Sequence, residues 1–485
     1  MKRNLMRAAA AVSAVICAQG AFAADDVEFK TGGQFRARYE NWMTPSASST
    51  NTQSNSDIKS RVKLNITARK GERLQMMVSL LHGAQFGGIA RESNVDSAQA
   101  ADPTTNQNAV HVSRAWGWWK ATDNLSLKVG RMGIEIADGS VFSENDWEQS
   151  PTFHEGLMAA YDMDFSKISL YLLKNSELNV GTAPVGPGAT NGAPNWDPEM
   201  NMYMLSFDLK NLPEALKMAN SHAIAITRDE TTVPLGATPL ATSQNAFGNG
   251  SGSLPGAGLT EQRVGLTLGG ESANIMYKLS GEYVFGAGHY KNGNAGQTVG
   301  QDFTISQNMI DALLGYHLAD VMGLKVSFVY HRDSGSNNLY NGTAGDRSFN
   351  TYDPLFYDLH NYSGMMDIVR WGNLTAYGVT ASIMPMDDLE AGIGYNIFQR
   401  TENGAQAANT TFGANYASLQ GRASEANIGS ELDVYANKAY EGNFKIGAHA
   451  GLFMPDNYLK NATGKYAGTQ DQMIAQFMLH GTMSF

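Results

Sequence analysis

Hydrophobic and polar residues alternate with a period of two along much of the chain. In residues 58–69, Ile58 and Val62 fall on one face, and Lys59 and Arg61 fall on the other. Such alternation predicts β-strands with one apolar and one polar face, because successive side chains of a strand point to opposite sides. Each predicted strand is near the ~9–11 residues that a tilted membrane strand requires. Eighteen segments carry the pattern, at residues 28–41, 58–69, 74–86, 109–121, 125–135, 152–162, 167–175, 200–210, 218–228, 261–269, 273–286, 305–318, 323–333, 372–384, 388–400, 425–438, 443–454 and 472–485.

The last of these segments ends the chain on an aromatic residue. Met473, Phe477 and Leu479 share its apolar face, which runs to Phe485 at the C-terminus. In outer-membrane barrels, aromatic residues gather at the membrane interfaces. The pattern therefore predicts that residues 472–485 form the closing strand of a transmembrane barrel.

The connections between the predicted strands alternate between short and long. Residues 70–73 and 122–124 are tight links, whereas residues 87–108, 229–260 and 334–371 are long and polar. Outer-membrane barrels have short periplasmic turns and long extracellular loops. We therefore predict an all-β fold, a transmembrane antiparallel β-barrel of about 18 strands, with 16 as the alternative. Both termini are predicted to be periplasmic.

The first residues predict a secretory signal peptide at residues 1–23. A basic start and an apolar run too short to cross a membrane as a helix lead to Ala23, where the small residues fit the cleavage rule. Residues 24–485 are then one barrel domain in the outer membrane. Cys17 is the only cysteine, so no disulfide framework is expected in the exported part.

The composition narrows the expected partners. The chain contains 51 Gly, 20 Tyr and 20 Phe, a composition typical of barrel strands that have one face in contact with water. Its formal charge of −11 argues against nucleic acid as a partner. Outer-membrane lipids, lipopolysaccharide and small hydrophilic solutes or ions are the expected partners, with the barrel a monomer or a homo-oligomer. No cofactor is predicted, and the histidines lack metal-ligand spacing.

Five cations fall on the predicted inner wall of the first two strands. They are Arg36, Arg38, Lys59, Arg61 and Lys63. Like charges on neighbouring strands destabilise a sheet, so this basic cluster requires solvent, counter-charges or a function. Two interpretations follow: a basic ladder that attracts anionic solutes, or a cluster paired with acids from a loop or a neighbouring strand.

Strand parity places further charged residues in the lumen, where charged side chains set the selectivity of pores. These are Lys128, Arg131, Arg263, Lys278, Glu282, Lys325, Glu390, Arg400, Glu425, Glu431 and Asp433. Arg114 does not fit, because parity gives it the same face as Val112 and Trp116. Either a bulge shifts the register there, or the side chain lies at the headgroup level.

Aromatic residues near strand ends predict the girdles of a membrane barrel. They are Tyr39, Trp42, Trp116, Trp118 and Trp119. A platform on which sugars stack is the alternative.

Two stretches go beyond a generic barrel. Residues 130–156 contain DWEQ at 146–149 and FHEG at 153–156, and residues 352–374 begin with YDPLF. Together these motifs resemble the alginate-export family of outer-membrane barrels. The resemblance implies an eighteen-stranded channel.

The aromatic-rich segment 352–371 is predicted to fold into the lumen, because it is too apolar for a free loop tip and long structured loops are usually functional. Its candidate residues are Tyr352, Asp353, Phe356, His360, Tyr362 and Asp367. Asp353 and Asp358 around His360 suggest a cation site, and hydrogen bonding within an ordered loop is the alternative.

These patterns predict a porin that passes small hydrophilic solutes or ions by diffusion through a water-filled lumen. One alternative is a substrate-selective channel for an anionic oligo- or polysaccharide. Another is a structural or adhesive barrel without an open pore. A barrel enzyme would need a Ser–His pair at the membrane interface, and no catalytic residue is predicted.

Overall fold

The computed structural model describes residues 27–45, 52–85, 110–149, 151–177, 199–230, 257–290, 302–335, 348–358, 360, 363–403, 424–460 and 472–485. The predicted signal peptide lies outside these residues.

Eighteen strands of the described chain form one antiparallel barrel. They are β1 (Val27–Pro45), β2 (Thr52–Lys70), β3 (Leu74–Gln85), β4 (His111–Lys120), β5 (Leu125–Met132), β6 (His154–Asp162), β7 (Ser166–Glu177), β8 (Glu199–Leu209), β9 (Met218–Glu230), β10 (Ala257–Ser272), β11 (Ile275–Tyr290), β12 (Asp302–Leu318), β13 (Leu324–Asp333), β14 (Leu374–Met386), β15 (Leu389–Arg400), β16 (Asn427–Tyr440), β17 (Phe444–Pro455) and β18 (Ile474–Ser484). A two-residue strand (Ser348–Phe349), a 3-10 turn (Glu214–Leu216) and a single α-helical turn (Asn457–Lys460) accompany the barrel.

The barrel closes between its first and last strands. Each strand pairs with its neighbours in sequence, and β1 pairs with both β2 and β18, so that Gln34 lies opposite Lys63 on one side and Ser484 on the other. The predicted fold class is therefore confirmed, as is the count of eighteen strands over sixteen.

Several strands are longer than predicted. β2 begins at Thr52, six residues before the predicted start, because residues 52–57 are polar on both faces. A strand that leaves the membrane meets water on both sides, so its sequence loses the alternation while its backbone hydrogen bonds continue. β16 differs in the other direction, since it begins at Asn427, after Glu425.

The outer face of the barrel is apolar. Phe35, Val62, Leu266 and Leu279 are among the large hydrophobic side chains that remain exposed there, as lipid-facing positions of a membrane barrel must be. Among the described residues, no helix is long and apolar enough to cross a membrane.

The C-terminus closes the barrel with a tight joint. The Gly33 amide donates to the Phe485 carbonyl at 2.8 Å, and the Phe485 amide donates back at 3.1 Å. A Cβ atom on Gly33 would lie 2.5 Å from the Phe485 ring. Glycine is therefore required where the terminal ring covers β1.

A bulge in β4 corrects the predicted orientation of two tryptophans. Ser79 pairs with Arg114 but Leu80 pairs with Val112, so the register shifts by one residue. The shift turns Trp116 and Trp118 into the lumen. Of the two explanations offered for Arg114, the bulge is confirmed.

The other predicted girdle residues divide between the faces. Trp119 is 50% exposed on the outside, and Tyr39 packs there against Phe477. Trp42 is buried on the inner side, where the Lys59 ammonium lies 5.9 Å from its ring centroid.

The main hydrophobic core lies inside the barrel. Parts of two connections fold into the lumen, and we call the described residues of 133–153 the first inward segment and the described residues of 350–373 the second inward segment. They pack against inward-facing apolar side chains of the wall, including Met202, Ile226 and Val284. Part of the interior is therefore packed like a globular core.

Candidate functional site

The two inward segments meet in a short parallel pairing. Phe142 bridges Phe356; the Ser143 amide donates to the Phe356 carbonyl at 2.7 Å, and the Phe356 amide donates to the Val141 carbonyl at 3.2 Å. The two phenylalanine rings contact each other at 5.3 Å between centroids. The segments therefore form one body inside the barrel, although they lie far apart in sequence.

The basic cluster holds the first inward segment to the wall. Arg36 donates to the carbonyl oxygens of Asp146 and Glu148 at 3.0 and 2.9 Å, and Arg61 donates to the same two oxygens at 2.8 Å each. Gln149 adds a hydrogen bond from its side-chain amide to the Ser60 carbonyl. Arg61 is only 1% exposed, so its donors face the protein rather than solvent.

The Asp146 carboxylate completes this anchor. It lies 3.2 Å from an Arg61 nitrogen and 3.1 Å from the Lys63 ammonium. Burial raises the pKa of Asp146, but Arg61 and Lys63 outweigh it and hold the pKa below its usual range. Asp146 is therefore charged at neutral pH.

Glu40 supplies a second counter-charge for the basic cluster. Its two carboxylate oxygens lie 3.0 Å from Arg38 and 3.0 Å from Lys59. Of the two interpretations offered for the five cations, the paired cluster describes these contacts. In the alternation of β1, Glu40 shares a face with Arg36 and Arg38. Nothing in the sequence pattern indicates that backbone carbonyl oxygens at residues 146–148 would also accept hydrogen bonds from the cluster.

Trp147 lies at the centre of the lumen contacts. The Arg38 guanidinium covers its ring at 4.0 Å and also donates to its carbonyl oxygen. His360 and His480 meet the same ring edge-on, at 4.9 and 5.3 Å between centroids. Trp147 thus connects the wall, the first inward segment and His360.

His360 and Asp367 face each other across 3.2 Å. Burial and the nearby Arg38 and Arg370 lower the pKa of His360 well below its usual range. Burial and the nearby Glu148 raise the pKa of Asp367 well above its usual range. Both shifts disfavour the charged form of the group concerned.

The predicted cation site around His360 is better described by hydrogen bonding. The His360 amide donates to an Asp358 carboxylate oxygen at 3.0 Å. The backbone carbonyl of Asp353 accepts from Arg263 at 2.7 Å, which ties this residue to the barrel wall. No group of three or more metal-ligating side chains occurs in the described part of the chain. Tyr362 lies outside the described residues.

Arg263 anchors the start of the second inward segment. It is fully buried and donates to Glu261 at 2.9 Å and Glu282 at 3.1 Å. The Tyr352 hydroxyl donates to the same Glu282 carboxylate at 2.7 Å. Two predicted lumen residues, Arg263 and Glu282, are thus engaged with a predicted inward-loop residue.

A buried histidine anchors the end of the second inward segment. His331 lies between Asp311 at 2.6 Å and Asp333 at 3.1 Å, and its ring stacks on Trp371 at 4.1 Å. Asp333 also accepts from the backbone amides of Gly372 and Leu374, at 2.6 Å each. Parity alone could have placed His331 and Asp311 on the inner wall, but it could not have revealed the shared segment.

Glu431 and Asp433 hold the middle of the second inward segment. They accept hydrogen bonds from the Met366 amide at 3.0 Å and the Met365 amide at 3.4 Å. Gly364 has a φ of +81°, and a Cβ there would lie 2.1 Å from a Glu431 oxygen. The close approach of backbone to carboxylate therefore requires glycine.

The remaining predicted lumen residues occupy varied positions. Lys278 pairs with Asp138 at 2.7 Å, Arg400 is buried with its guanidinium 5.1 Å from the Tyr458 ring, and the Glu425 carbonyl accepts from Arg400 at 3.4 Å. Lys325 and Glu390 are exposed at the short-turn end, and Lys128 lies beside Trp116.

Arg131 is a correction to the predicted lumen set. It pairs across β5 and β6 with Glu155 at 3.4 Å, on the face that exposes Val129 and Leu157. That face is the outside of the barrel. Arg131 and Lys128 are three residues apart in β5, so their side chains point to opposite faces.

Comparisons with known proteins agree with this architecture. A sequence model of the alginate-export family matches residues 253–471. The match includes the motif at residues 352–374, which confirms the resemblance drawn from the motifs. No curated protein matches the chain.

The barrel is similar in fold to outer-membrane porins of Pseudomonas aeruginosa. OpdQ is 9% identical over 94% of this chain and 97% of its own, with a TM-score of 0.53. OccK5 (OpdH) is 13% identical over 94% of this chain and 98% of its own, with a TM-score of 0.51. OpdK, solved with vanillate, is 10% identical over 94% of this chain and 98% of its own, with a TM-score of 0.51. Identities this low establish the shared fold alone.

Proposed function

We propose that the protein is an outer-membrane channel through which small hydrophilic solutes or ions diffuse passively. The observation that carries the proposal is a closed eighteen-stranded barrel, apolar outside, whose inner wall positions two joined inward segments. Barrels of ~16–18 strands enclose an aqueous channel unless it is plugged. The inward segments would narrow the channel rather than build a catalytic site.

The joined segments also bear on selectivity. Arg36 and Arg61 donate to the carbonyl oxygens of Asp146 and Glu148. Few of their N–H groups would therefore be left to bind a passing anion. Charged groups at the constriction decide which ions pass. We therefore expect a weak ion preference in the intact channel.

A substrate-selective channel for an anionic oligo- or polysaccharide is the second candidate. The family match over residues 253–471 favours it. It would require that the first inward segment move away from the basic cluster, because only then would Arg36 and Arg61 meet a polyanion. The vanillate bound to OpdK is closer to the solute size that we propose.

The proposal includes the surroundings of the barrel. Outer-membrane lipids would contact exposed side chains such as Phe35 and Leu266, with lipopolysaccharide in the outer leaflet and the short turns in the periplasm. We propose a monomeric or weakly associating barrel without catalytic activity.

The test is the single-channel conductance of the purified, refolded protein in a planar bilayer, with a salt gradient across it. We expect steady steps and a reversal potential close to zero. A strong anion preference that added polyuronate blocks would favour the polysaccharide channel. Silence from a correctly folded barrel would contradict both and favour a structural role.

A further inference from the structure

Four side chains of the inner wall form a polar row across strands β9 to β12. Asn220 lies opposite Thr267, Thr267 lies opposite Ser280, and Ser280 lies opposite Asp311. Residues directly opposite one another on antiparallel strands share a face, with their Cβ atoms about 5 Å apart. Thr267 is on the same face of β10 as the buried Arg263, so the row faces inward. We call these four residues the oxygen row.

Each residue of the oxygen row has a buried side-chain oxygen without a hydrogen-bond partner among the described residues. These atoms are Asn220 Oδ1, Thr267 Oγ1, Ser280 Oγ and Asp311 Oδ2. Thr267 and Asp311 are fully buried, and Ser280 is 1% exposed. Threonine and serine on facing strands commonly hydrogen-bond to each other, yet the Thr267 and Ser280 hydroxyls do not. Buried polar atoms without a partner destabilise a fold, so four in one row require an explanation.

The charge at one end of the row is negative. Asp311 binds His331 through its other oxygen at 2.6 Å, and His331 lies 3.1 Å from Asp333. Two carboxylates thus share one imidazole, so with ionised aspartates the group is negative whether or not His331 is protonated. Asp333 accepts from the amides of Gly372 and Leu374, whereas no described group donates to Asp311 Oδ2. A cation beside Asp311 would balance this charge.

The nearest cations along these strands already have counter-charges. Lys278 of β11 is ion-paired with Asp138 at 2.7 Å. Arg263 of β10 is ion-paired with Glu261 at 2.9 Å and with Glu282 at 3.1 Å. Neither side chain donates to the four oxygens of the row. The protein groups described here therefore leave the carboxylate end of the row without a cation of its own.

The spacing and chemistry of the oxygens limit which cation fits. The midpoint between two oxygens about 5 Å apart is about 2.5 Å from each, the distance that a hard cation of the size of calcium keeps from its oxygen ligands. The row contains one carboxylate, and its other oxygens are neutral amide and hydroxyl groups. Divalent and transition-metal sites use several carboxylates, histidines or cysteines. Ordered water would bind the oxygens but leave the charge unbalanced. A small monovalent cation meets both requirements.

We propose that Asn220, Thr267, Ser280 and Asp311 bind a monovalent cation of the size of sodium on the inner wall of the barrel. The amide and the two hydroxyl groups supply neutral oxygen ligands, and Asp311 Oδ2 supplies the charge. Because Asp311 also binds His331, the ion fixes the carboxylate that anchors the end of the second inward segment. The site does not depend on conductance, so its failure and the failure of the proposed function are separate results.

The experiment compares the unfolding temperature of the full barrel in detergent in sodium chloride and in choline chloride at equal ionic strength. Choline is too large to lie between the oxygens, and circular dichroism follows the loss of strands. We expect sodium to raise the unfolding temperature by about 3 °C, the size for a chain of this length when sodium is present at about a hundred times its dissociation constant. Equal temperatures in the two salts would overturn the proposal and favour ordered water between the oxygens.

Two variants test whether the oxygen row causes the sodium effect. Thr267→Val removes one oxygen and keeps the shape of the side chain, and Ser280→Ala removes another. We expect each to abolish the difference between the two salts. Thr260→Val is the matched control, because Thr260 is exposed on the outer face of the same strand, and it should retain the difference. A sodium effect that persists in both row variants would overturn the site.

Sodium NMR detects the bound ion without unfolding the barrel. We expect the wild type and Thr260→Val to broaden the sodium line more than Thr267→Val does. Calcium added at the same concentration as sodium should leave most of this broadening in place, because the row has a single carboxylate. Complete displacement by calcium would overturn the monovalent class, and equal broadening by all three proteins would overturn the site.

Discussion

At the residue scale, Asp146 determines how firmly the first inward segment is held. Its carboxylate lies within 3.2 Å of both Arg61 and Lys63, while Nη1 of Arg61 donates to two backbone carbonyl oxygens. Hydrogen bonds with a charged partner are stronger than neutral ones. A single carboxylate thus binds two cations that would otherwise repel each other.

Asp146→Asn should loosen the first inward segment at neutral pH. The group is 42% exposed, so solvent screening limits the loss to about 1 kcal/mol. We expect more frequent current fluctuations in planar-bilayer recordings at pH 7. Asp123→Asn, in an exposed turn, is the control and should record like the wild type.

The same carboxylate predicts a pH dependence in the wild type. Its pKa is held below the usual range, so its stabilising contribution is complete above about pH 4, the ordinary aspartate value. The contribution is lost as the pH falls through the lower pKa of the folded protein. The fluctuations should therefore rise only below about pH 4, and Asp146→Asn should lack this acid step.

We expect one methyl group added at Gly33 to destabilise the closed barrel. The Cβ of Gly33→Ala would lie 2.5 Å from the Phe485 ring and 2.6 Å from the Lys63 carbonyl. Overpacking of this kind costs about 1–3 kcal/mol. We expect a lower temperature for the gel-mobility shift that marks barrel unfolding.

Gly117→Ala is the matched control for that joint, because nothing lies within 4 Å of its Cβ position. Equal unfolding temperatures for both variants would contradict the close approach of Phe485 to β1.

At the element scale, the two inward segments depend on each other. Phe142 is fully buried and contacts both Phe356 and His154. The backbone pairing at Ser143 and Phe356 is too short to persist without these ring contacts, since isolated two-stranded pairings are marginal in water. Losing the rings should release both segments together.

Phe142→Ala removes the shared ring. Large-to-small changes of a buried phenylalanine cost about 3–5 kcal/mol, and we expect protease cleavage in both inward segments while the barrel stays closed. Mass spectrometry of the fragments locates the cuts. Phe165→Ala, at a 60% exposed position, should leave the pattern unchanged, and cleavage of the first segment alone would contradict the coupling.

The strands themselves were largely predictable, and one bulge was not. Eighteen alternating segments correspond one by one to eighteen strands, because side-chain alternation is local to each strand. The register shift at Ser79 and Leu80 depends on how β3 meets β4. It reversed the predicted faces of Trp116 and Trp118, so that these side chains lie in the lumen and not at the membrane interface.

At the scale of the whole molecule, part of the lumen wall is apolar on both sides. β8 places Met202 and Met204 inward and Tyr203 and Leu205 outward. Such a strand signals that its inner face is covered, since a water-filled lumen would favour polar side chains. This signal is present in the sequence itself, in the uninterrupted apolar run from Met202 to Leu205.

Replacing residues 139–149 by a short Gly-Ser link should change both conductance and selectivity. The link would remove the carbonyl oxygens that occupy Arg36 and Arg61 and free the basic cluster. We expect a severalfold larger conductance and a reversal potential that indicates anion preference, because charged walls set selectivity.

A variant shortened by the same number of residues between β9 and β10 is the control, and its conductance and reversal potential should remain those of the wild type. An unchanged reversal potential in the 139–149 variant would show that the basic cluster does not control ion passage.

The sequence by itself determined the fold class, the number of strands, the inner and outer faces of most of them and the closing position of Phe485. These features follow from the period-two alternation and from the short turns. Both are local patterns, because a stretch of a few residues is enough to encode each of them. Only the tertiary structure decided that the basic cluster binds carbonyl oxygens at residues 146–148, and that Phe142 meets Phe356. Backbone acceptors and contacts between distant segments leave no local pattern, because they depend on how the closed barrel brings those segments together.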